Sequence, residues 1–439
     1  MNEKNLRTTD LPVERAFLVG AEIKSQPGLL HAADSLEELR LLSETAGLTV
    51  VGETIQKLEK PNVSTYIGSG KVEEVRALAE ETLTDIVVFD NELSPRHLRD
   101  LSNALGKSVR VIERTTLILD IFAQHAVTRE GRLQVELAQH EYRLPRLSHA
   151  WGHLERQGAG AAGRTGSVGG VGLRGPGETQ LEVDKREIRK RISILKKQIE
   201  KISEHRDRYR GRRKRSQIPV IAIVGYTNAG KSTLLNRLSN SGIYTADQLF
   251  ATLDPTTRRV VLPGNHVSLL TDTVGFIQKL PTQLIAAFRA TLEEISQADL
   301  LLHLIDISHD NAHAQFESVQ QTLAEINADH VPTINVFNKS DKLEDPEEAQ
   351  ALLAQTDPDA FLISAKTGQG IDELKIGIME QLFEKMIPVH VRLPFKEGAL
   401  IALFHEQGIV DLIENERGGV ILTGALPGRL FSRFQEFIL

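Results

Sequence analysis

The chain has no cysteine among its 439 residues and few aromatic residues, with one tryptophan and five tyrosines. The absence of cysteine excludes disulfide bonds, thiol nucleophiles and cysteine-ligated metal sites. No apolar run approaches the roughly 18 residues that a membrane-spanning helix needs. Residues 1–15 are charged and lack the apolar centre of a secretion signal, so we expect a cytoplasmic protein.

Length and composition are those of a folded protein with several domains. The chain is long enough for two to four domains. It has 41% hydrophobic and 25% charged residues, with a formal net charge of −7. These values are ordinary for a globular protein, so any indication of function has to come from local motifs.

A glycine-rich motif predicts a nucleotide-binding loop. It lies between an apolar run of strand length, residues 219–224 (PVIAIV), and a helical pattern, residues 231–238 (KSTLLNRL). The motif fits G-x-x-x-x-G-K-[ST], in which backbone N–H groups surround phosphate. The lysine adds positive charge beside the β- and γ-phosphates, and the serine hydroxyl is placed to ligate Mg²⁺. The predicted phosphate-binding residues are Gly225, Tyr226, Thr227, Asn228, Ala229, Gly230, Lys231 and Ser232.

Two later segments predict that the bound base is guanine. Residues 338–341 (NKSD) follow the apolar run 333–337, and residues 364–366 (SAK) follow the apolar run 360–363. An aspartate in such a loop accepts both guanine N1–H and the exocyclic amine, whereas adenine would leave a buried carboxylate unpaired. The predicted base-binding residues are Asn338, Lys339, Ser340, Asp341, Ser364, Ala365 and Lys366.

A D-x-x-G segment between these motifs is predicted to sense the third phosphate. Residues 272–275 (DTVG) follow the apolar run 267–270. Asp272 is expected to hold Mg²⁺ through water, and the N–H of Gly275 is expected to meet the γ-phosphate. Thr273 and Val274 complete this predicted segment.

A second sensing segment precedes it. Residues 250–254 (FATLD) open a polar, turn-rich stretch that runs to Arg259. A threonine in such a loop can ligate Mg²⁺ and order the loop in the GTP state. Thr252 is the predicted ligand, and Thr256 and Thr257 are competing candidates. The predicted nucleotide-binding residues here are Phe250, Ala251, Thr252, Leu253 and Asp254.

One position departs from the usual catalytic pattern. Many GTPases with D-x-x-G place glutamine next, where it orients the attacking water, but this chain has Phe276. Intrinsic hydrolysis is therefore expected to be slow unless something else positions the water. Asn228 suggests a bound K⁺ ion that stabilises charge, whereas the alternatives are that Asn228 only shapes the loop or that a partner completes the site. The predicted catalytic residues are Asn228, Lys231, Thr252 and Gly275.

Positive charge is concentrated in one segment. Residues 185–215 contain 15 Lys/Arg and 4 Asp/Glu, so their net charge is 15 − 4 = +11. A heptad stripe in this segment predicts a helix, with residues 127–144 as its partner in a two-helix arm. Basic residues face away from the stripe, and residues 210–215 (RGRRKR) add a cationic run, so a nucleic acid is favoured over a solvated surface. The stripe is Ile188, Ile192, Leu195, Ile199 and Ile202.

A glycine-rich segment connects the two predicted helices of the arm. Residues 158–177 contain nine glycines, and only Arg164 and Arg174 are charged. Such a sequence buries too little apolar surface to order itself, and it can act as a passive linker. Its position at the tip of a basic arm favours a probe that enters a narrow RNA cavity.

Alternating segments predict further domains at both ends. Strand and helix patterns alternate over the first 120 residues, which predicts a mostly parallel sheet. Residues 66–71 (YIGSGK) are interpreted as a tight strand-to-helix turn, with nucleotide binding as the alternative. From residue 388 the pattern is strand–helix–strand–strand–helix.

The predicted fold is α/β in several domains. These are an N-terminal parallel α/β domain (1–125) with a helical arm (126–215), a P-loop GTPase domain (216–386) and a small α+β C-terminal domain (387–439).

The chain closely resembles the HflX family of translational GTPases. The resemblance lies in IGSGK, GPGETQLE (175–182), GYTNAGKST, FATLDPTTR, DTVGF and NKSD, and it covers nearly the whole length. It implies a GTPase that binds the rRNA of the large ribosomal subunit, with the N-terminal domain and glycine-rich loop reaching toward the peptidyl-transferase region. It further implies splitting or rescue of stalled ribosomes under stress. Some members are reported to use ATP through the N-terminal domain, which makes residues 67–71 a candidate site.

Two other functions remain open. One is a GTP-dependent assembly or RNA-binding factor without splitting activity, which also needs GTP-gated affinity for rRNA. The other is a regulatory switch whose arm contacts a membrane or a protein. The arm lacks the broad apolar face of a membrane-surface helix, so no membrane partner is expected. We expect a monomer that binds GTP and GDP.

Overall fold

Three β-sheets organise the part of the chain that the computed structural model describes. That part comprises residues 13–25, 29–106, 108–150, 176–215, 218–239, 249–250, 255–279, 289–383 and 386–439. Most of the glycine-rich segment and the predicted ligand Thr252, with Ala251, Leu253 and Asp254, lie outside the described residues.

The N-terminal sheet is parallel and covered by helices on both faces. Its elements are β1 (Arg15–Ile23), α1 (Ala32–Thr45), β2 (Thr49–Leu58), α2 (Ser69–Glu81), β3 (Ile86–Phe89), α3 (Pro95–Leu105), β4 (Arg110–Glu113) and α4 (Arg114–His125). The strand order is β2-β1-β3-β4. Successive residues of a strand face opposite sides, so Leu18 packs with α1 and α4, whereas Phe17 packs with α2 and α3. Both faces are buried, as parallel sheets require.

Helix α4 is the one element of this domain that the sequence patterns did not predict. Its buried residues cover more than half of the helix circumference rather than one narrow stripe, so its sequence has no clear 3.6-residue period. One side packs on the N-terminal sheet. Another contacts the nucleotide-binding domain, where the Phe122 ring meets that of Phe250 edge-on at 4.6 Å between centroids.

The basic segment forms the predicted two-helix arm. It consists of α5 (Arg129–Ala150) and α6 (Pro176–Arg215), which pack against each other. Leu195 of the heptad stripe is fully buried, and the other stripe residues are half-buried. Two salt bridges join the helices, Arg191 to Glu136 at 2.6 Å and Lys196 to Glu141 at 2.8 Å.

The central sheet has six strands in the order β10-β9-β8-β5-β7-β6, and only the pairing of β6 with β7 is antiparallel. Its elements are β5 (Val220–Gly225), α7 (Lys231–Ser239), β6 (Thr256–Leu262), β7 (His266–Asp272), α8 (Arg289–Ser296), β8 (Leu300–Asp306), α9 (Ala312–Glu325), β9 (Thr333–Asn338), α10 (Pro346–Thr356), β10 (Phe361–Leu362) and α11 (Ile371–Leu382). The turn-rich stretch expected to reach Arg259 is shorter than predicted. It ends where β6 begins, so both Thr256 and Thr257 lie in a strand.

The C-terminal sheet is antiparallel, with strand order β11-β13-β12. Its elements are β11 (Met386–Pro394), α12 (Gly398–Gln407), β12 (Ile409–Glu416), β13 (Gly419–Pro427) and α13 (Gly428–Phe434). Its core, which includes Phe404 and Phe434, contains no residue from the other sheets. The strand–helix–strand–strand–helix order predicted from residue 388 matches these elements, and the predicted α/β class is confirmed. No helix in the described ranges is long and apolar enough to span a membrane.

Candidate nucleotide-binding site

The phosphate loop joins the carboxyl end of β5 to the start of α7. Gly230 has a φ of 98°, in the left-handed region, and a Cβ there would overlap the amide of Asn338. Lys231 is buried, and its ammonium donates to the carbonyl oxygens of Gly225 (3.1 Å) and Tyr226 (2.7 Å). The motif residues therefore form one compact loop around the lysine.

The charge of Lys231 depends on its surroundings. Burial lowers the pKa of the ammonium to about 8, and the carboxylate of Asp272 only partly opposes this effect. A polyphosphate beside the lysine would favour the charged form and raise the pKa again. The loop is thus suited to hold a dense negative charge.

Two oxygen groups expected to bind metal lie together. The Ser232 hydroxyl, in the first turn of α7, donates to the Asp272 carboxylate at 2.6 Å, and Asp272 ends β7. Hydroxyl and carboxylate oxygens are ligands that Mg²⁺ accepts, and its octahedron is commonly completed by water and substrate phosphate. Within the described ranges no cluster of three or more His, Asp or Glu side chains is placed to hold a metal. The donor set fits Mg²⁺ carried by a nucleotide.

The D-x-x-G segment lies directly on the phosphate loop. The Thr227 N–H donates to the Phe276 carbonyl (2.8 Å), and the Phe276 N–H donates to the Gly225 carbonyl (3.1 Å). A Cβ on Gly275 would lie 3.0 Å from Lys231 Nζ and 2.8 Å from the Thr227 methyl group. Only glycine brings the backbone this close to the lysine, which is where a γ-phosphate is expected.

The Phe276 ring has no catalytic role that this geometry supports. It is 2% exposed and belongs to the hydrophobic core shared by the central sheet and the N-terminal domain. It can neither reach a water in the site nor hydrogen-bond to one. Val274 is part of the same core, and the Thr273 hydroxyl donates to the backbone of β5.

The base-binding segments are braced by Asn338. Its amide donates to the Ala229 carbonyl (2.8 Å) and accepts from the Ala365 N–H (2.9 Å). The Ser364 hydroxyl donates to the Asp341 carboxylate at 2.6 Å, and Ser340 is fully buried beneath. Three loops distant in sequence thus form one surface.

Lys339 and Asp341 flank this surface. Lys339 adopts φ 69° and pairs with Asp306 at 2.7 Å, which fixes its aliphatic stem. Asp341 is exposed, so the base itself would have to bury the carboxylate for the predicted discrimination against adenine.

Known proteins share this arrangement of segments. Family models match three consecutive regions, described as "GTP-binding GTPase N-terminal" (33–123), "GTP-binding GTPase Middle Region" (125–213) and "50S ribosome-binding GTPase" (220–339). The GTPase HflX of Caldanaerobacter subterraneus subsp. tengcongensis is 43% identical over 426 residues, covering 97% of this chain and 94% of that protein. The chain belongs to the HflX family of GTPases.

One more HflX protein and one solved structure are also similar to the chain. GTPase HflX of Escherichia coli (strain K12) is 42% identical over 395 residues, which are 90% of each chain. The crystal structure of SsGBP with GDP is 26% identical, covers 84% of this chain and 98% of its own, and has a TM-score of 0.46. The resemblance seen in the motifs is confirmed, and the chain is an enzyme that hydrolyses GTP.

In this HflX GTPase, two of the predicted nucleotide-binding residues have a positive φ angle. Asn228 is exposed and has a φ of 60°, a conformation that asparagine tolerates better than most residues. Phe250 also has a positive φ, and its side chain is buried against helix α4. The individual roles assigned to the site residues stay predictions.

Two residues that support the site were missed from the sequence. Arg237 of α7 donates to the carbonyls of Ala365 (3.2 Å) and Lys366, so it holds the second base-binding loop. Glu38, from the N-terminal domain, accepts a hydrogen bond from the Tyr226 hydroxyl. Neither residue belongs to a motif, and only the three-dimensional contact identifies them.

Proposed function

We propose that this HflX-family GTPase binds rRNA of the large ribosomal subunit in its GTP state and splits or rescues ribosomes under stress. The supporting observation is a basic outer face on α6, carried by the same chain as the nucleotide site. A monomer in the cytoplasm suits this function. The description "50S ribosome-binding GTPase" for the family model at 220–339 supports the same partner.

The basic residues of α6 fall into two groups, those that form salt bridges with α5 and those on the outer face. Arg191 and Lys196 pair with acidic residues of α5, so their charge is partly neutralised. Other basic residues of α6 are exposed, and those at spacings of three, four and seven line one side of a helix. Such a stripe suits phosphates along an RNA backbone. The exposed residues are Arg186, Arg189, Lys190, Lys197 and Lys201.

The proposed chemistry is transfer of the γ-phosphoryl group of GTP to water, giving GDP and phosphate. Lys231 would stabilise charge on the β- and γ-phosphates, and the Gly275 N–H would bind the γ-phosphate. Ser232 and Asp272, with Thr252, would hold Mg²⁺, which would supply positive charge to stabilise the negative charge of the phosphates. The hydrogen bond between Ser232 and Asp272 and the close approach of Gly275 to the lysine support these roles.

Water activation needs a group other than Phe276. Asn228 would recruit K⁺ beside the phosphates, and the large subunit would complete the site. The alternative, that Asn228 only shapes the loop, has support in its positive φ. Comparing GTP turnover in K⁺ and in Na⁺ distinguishes these two roles of Asn228. If Asn228 binds K⁺, wild type should hydrolyse GTP faster in K⁺ than in Na⁺, and Asn228→Ala should show no such difference.

The decisive experiment measures the GTPase rate with and without purified large ribosomal subunits at fixed Mg²⁺ and K⁺. Strong stimulation, with co-sedimentation in a non-hydrolysable GTP analogue, is the expected result. Absence of both would contradict the proposed partner and leave the basic arm to another ligand.

An assembly factor would give the same stimulation, so a second readout is needed. Splitting predicts that the protein with GTP lowers the light scattering of intact ribosomes. A factor that acts only in assembly would bind subunits without this decrease. Truncating the glycine-rich segment 158–177 distinguishes a probe from a passive linker. The truncated protein should bind the large subunit more weakly only if the segment is a probe.

A further inference from the structure

A tyrosine in the phosphate loop connects three parts of the molecule. The Tyr226 side chain points away from the loop, is 4% exposed, and donates its hydroxyl proton to the Glu38 carboxylate of α1. The same oxygen accepts the Gln278 N–H at 2.9 Å, three residues after Gly275. One hydroxyl therefore joins the phosphate loop, the D-x-x-G segment and the N-terminal domain.

Glu38 is itself held by a buried ionic network. Arg114, at the start of α4, forms salt bridges with Glu38 and with Asp90 (2.8 Å). Asp90 also accepts from the Ser35 hydroxyl (2.8 Å) and pairs with Lys279, the residue after Gln278. A buried charge network of this kind is costly to break at one member, because the remaining charges lose their partners.

The ionisation of these groups favours the bonds described. Burial raises the pKa of the Tyr226 phenol, and the negative charge of Glu38 raises it further, so the hydroxyl stays a donor. Burial disfavours ionisation of Asp90, but Arg114 and Lys279 outweigh it and lower the pKa of this carboxyl.

We propose that Tyr226 is a positioning residue for GTP hydrolysis, oriented by Glu38 of the N-terminal domain. By holding Gln278, it fixes the backbone of Gly275 and Phe276 over the phosphate loop. The N-terminal domain thereby supplies part of the order of the hydrolytic site within the same chain.

The position of Phe276 explains why this order matters. Since its ring is buried in the shared core, the segment contributes only backbone groups to the site, and their placement determines what the γ-phosphate meets. Loss of the tyrosine hydroxyl leaves the Gln278 N–H without its acceptor and loosens this backbone. The segment would then have to be ordered during each turnover, which slows the chemical step.

The test is single-turnover GTP hydrolysis by Tyr226→Phe in the full chain without ribosomes. We expect the rate constant to fall by about tenfold while GTP affinity changes by less than about twofold. Glu38→Gln is expected to give a smaller fall. The double variant should be slowed by less than the product of the two single effects, because both changes act through one hydroxyl while only Glu38→Gln also removes the charge that pairs with Arg114.

Tyr142→Phe is a matched control. This tyrosine of α5 is also buried, and its hydroxyl accepts from Thr116 of α4 rather than from the phosphate loop or the D-x-x-G segment. It should lose some thermal stability and keep the wild-type rate. If the hydrolysis rate of each variant fell in proportion to its loss of thermal stability, the effect of Tyr226→Phe would be purely structural.

Three results would overturn the proposal. They are a wild-type rate for Tyr226→Phe, a loss that appears equally in GTP affinity, or full additivity with Glu38→Gln. Should Tyr226→Phe not fold, Glu38→Gln alone tests the point, and an unchanged rate would contradict it. Ribosomes are absent from the assay, so its outcome is independent of the proposed partner.

Discussion

At Asp341, the exposed carboxylate is already oriented by the Ser364 hydroxyl. Replacing it by asparagine exchanges one acceptor oxygen for an N–H₂ donor, which opposes the guanine N1–H and suits the extra carbonyl of xanthine. Asp341→Asn is therefore expected to lower GTP affinity by roughly a hundredfold and to favour xanthosine triphosphate. Competition binding measures both; unchanged GTP affinity would refute the role in reading the base.

Lys231 predicts a pH dependence of nucleotide binding. In the free protein its pKa is lowered to about 8 by burial, whereas bound phosphate favours the ammonium. Above about pH 8 binding must therefore take up a proton, so GTP affinity falls, by up to about tenfold per pH unit. Lys231→Arg is expected to bind GTP more weakly at every pH, but its GTP affinity should not fall above about pH 8, because the guanidinium group stays charged. Equilibrium GTP titrations at several pH values test this. An equal dependence of GTP affinity on pH in wild type and in Lys231→Arg would contradict it.

Residues of the site were predictable where their chemistry is local. Glycine, lysine and serine of the phosphate loop act within a few residues of one another, so their spacing carries the information. Tyr226 and Glu38 are 188 positions apart, and no spacing links them. The exposure of Asp341 likewise depends on how several loops meet.

At the scale of elements, α6 offers two neighbouring lysines with different surroundings. Lys196 pairs with Glu141, whereas Lys197 lies on the exposed outer face. Lys197→Gln with Lys201→Gln is expected to weaken binding to the large subunit and to flatten its salt dependence by roughly one to two phosphate contacts.

The control pair is Arg191→Gln with Lys196→Gln, which removes the same charge from two exposed residues that form salt bridges with α5. Its effect on the salt dependence should be smaller, because Glu136 and Glu141 already neutralise these residues. Equal slopes for the two pairs, measured by sedimentation across salt concentrations, would argue against a directed RNA-binding face.

Strands and amphipathic helices followed from their periodicity, whereas α4 did not. The buried residues of α4 cover more than half of its circumference and leave a narrow exposed side with Asp120, Ala123 and Gln124, so its sequence lacks the clear 3.6-residue period of a helix buried on one stripe. The start of β6 was also missed, since Thr256 and Thr257 follow a segment rich in turn residues, and only pairing with β7 makes them a strand.

For the whole molecule, the shared core predicts that nucleotide binding stabilises the N-terminal domain. Residues of α1 and α4 belong to the same core as Phe250 and Phe276. GDP is therefore expected to slow hydrogen exchange in α1 (Ala32–Thr45) and α4 as well as around the phosphate loop.

The C-terminal sheet serves as the internal reference for that measurement. Its core contains residues of its own segment alone, so exchange in β11 and β13 should not respond to GDP. Protection confined to the phosphate loop would show that the two domains move independently. The domain boundaries at 125, 215 and 386 stay predictions, and the same data would test the last of them.

Helix α6 is long and is connected to the nucleotide-binding domain by a short segment. At 1.5 Å per residue its 40 residues extend about 60 Å. Only residues 216–219 separate it from β5, the strand that opens into the phosphate loop. A rotation of about 5° at that junction would carry the far end about 5 Å, one helical pitch. The junction lies at the amino end of β5, whereas the phosphate loop follows its carboxyl end, about 20 Å away along the six-residue strand. A tilt of β5 is therefore the movement that would turn a change at the nucleotide into a displacement at the far end of the arm.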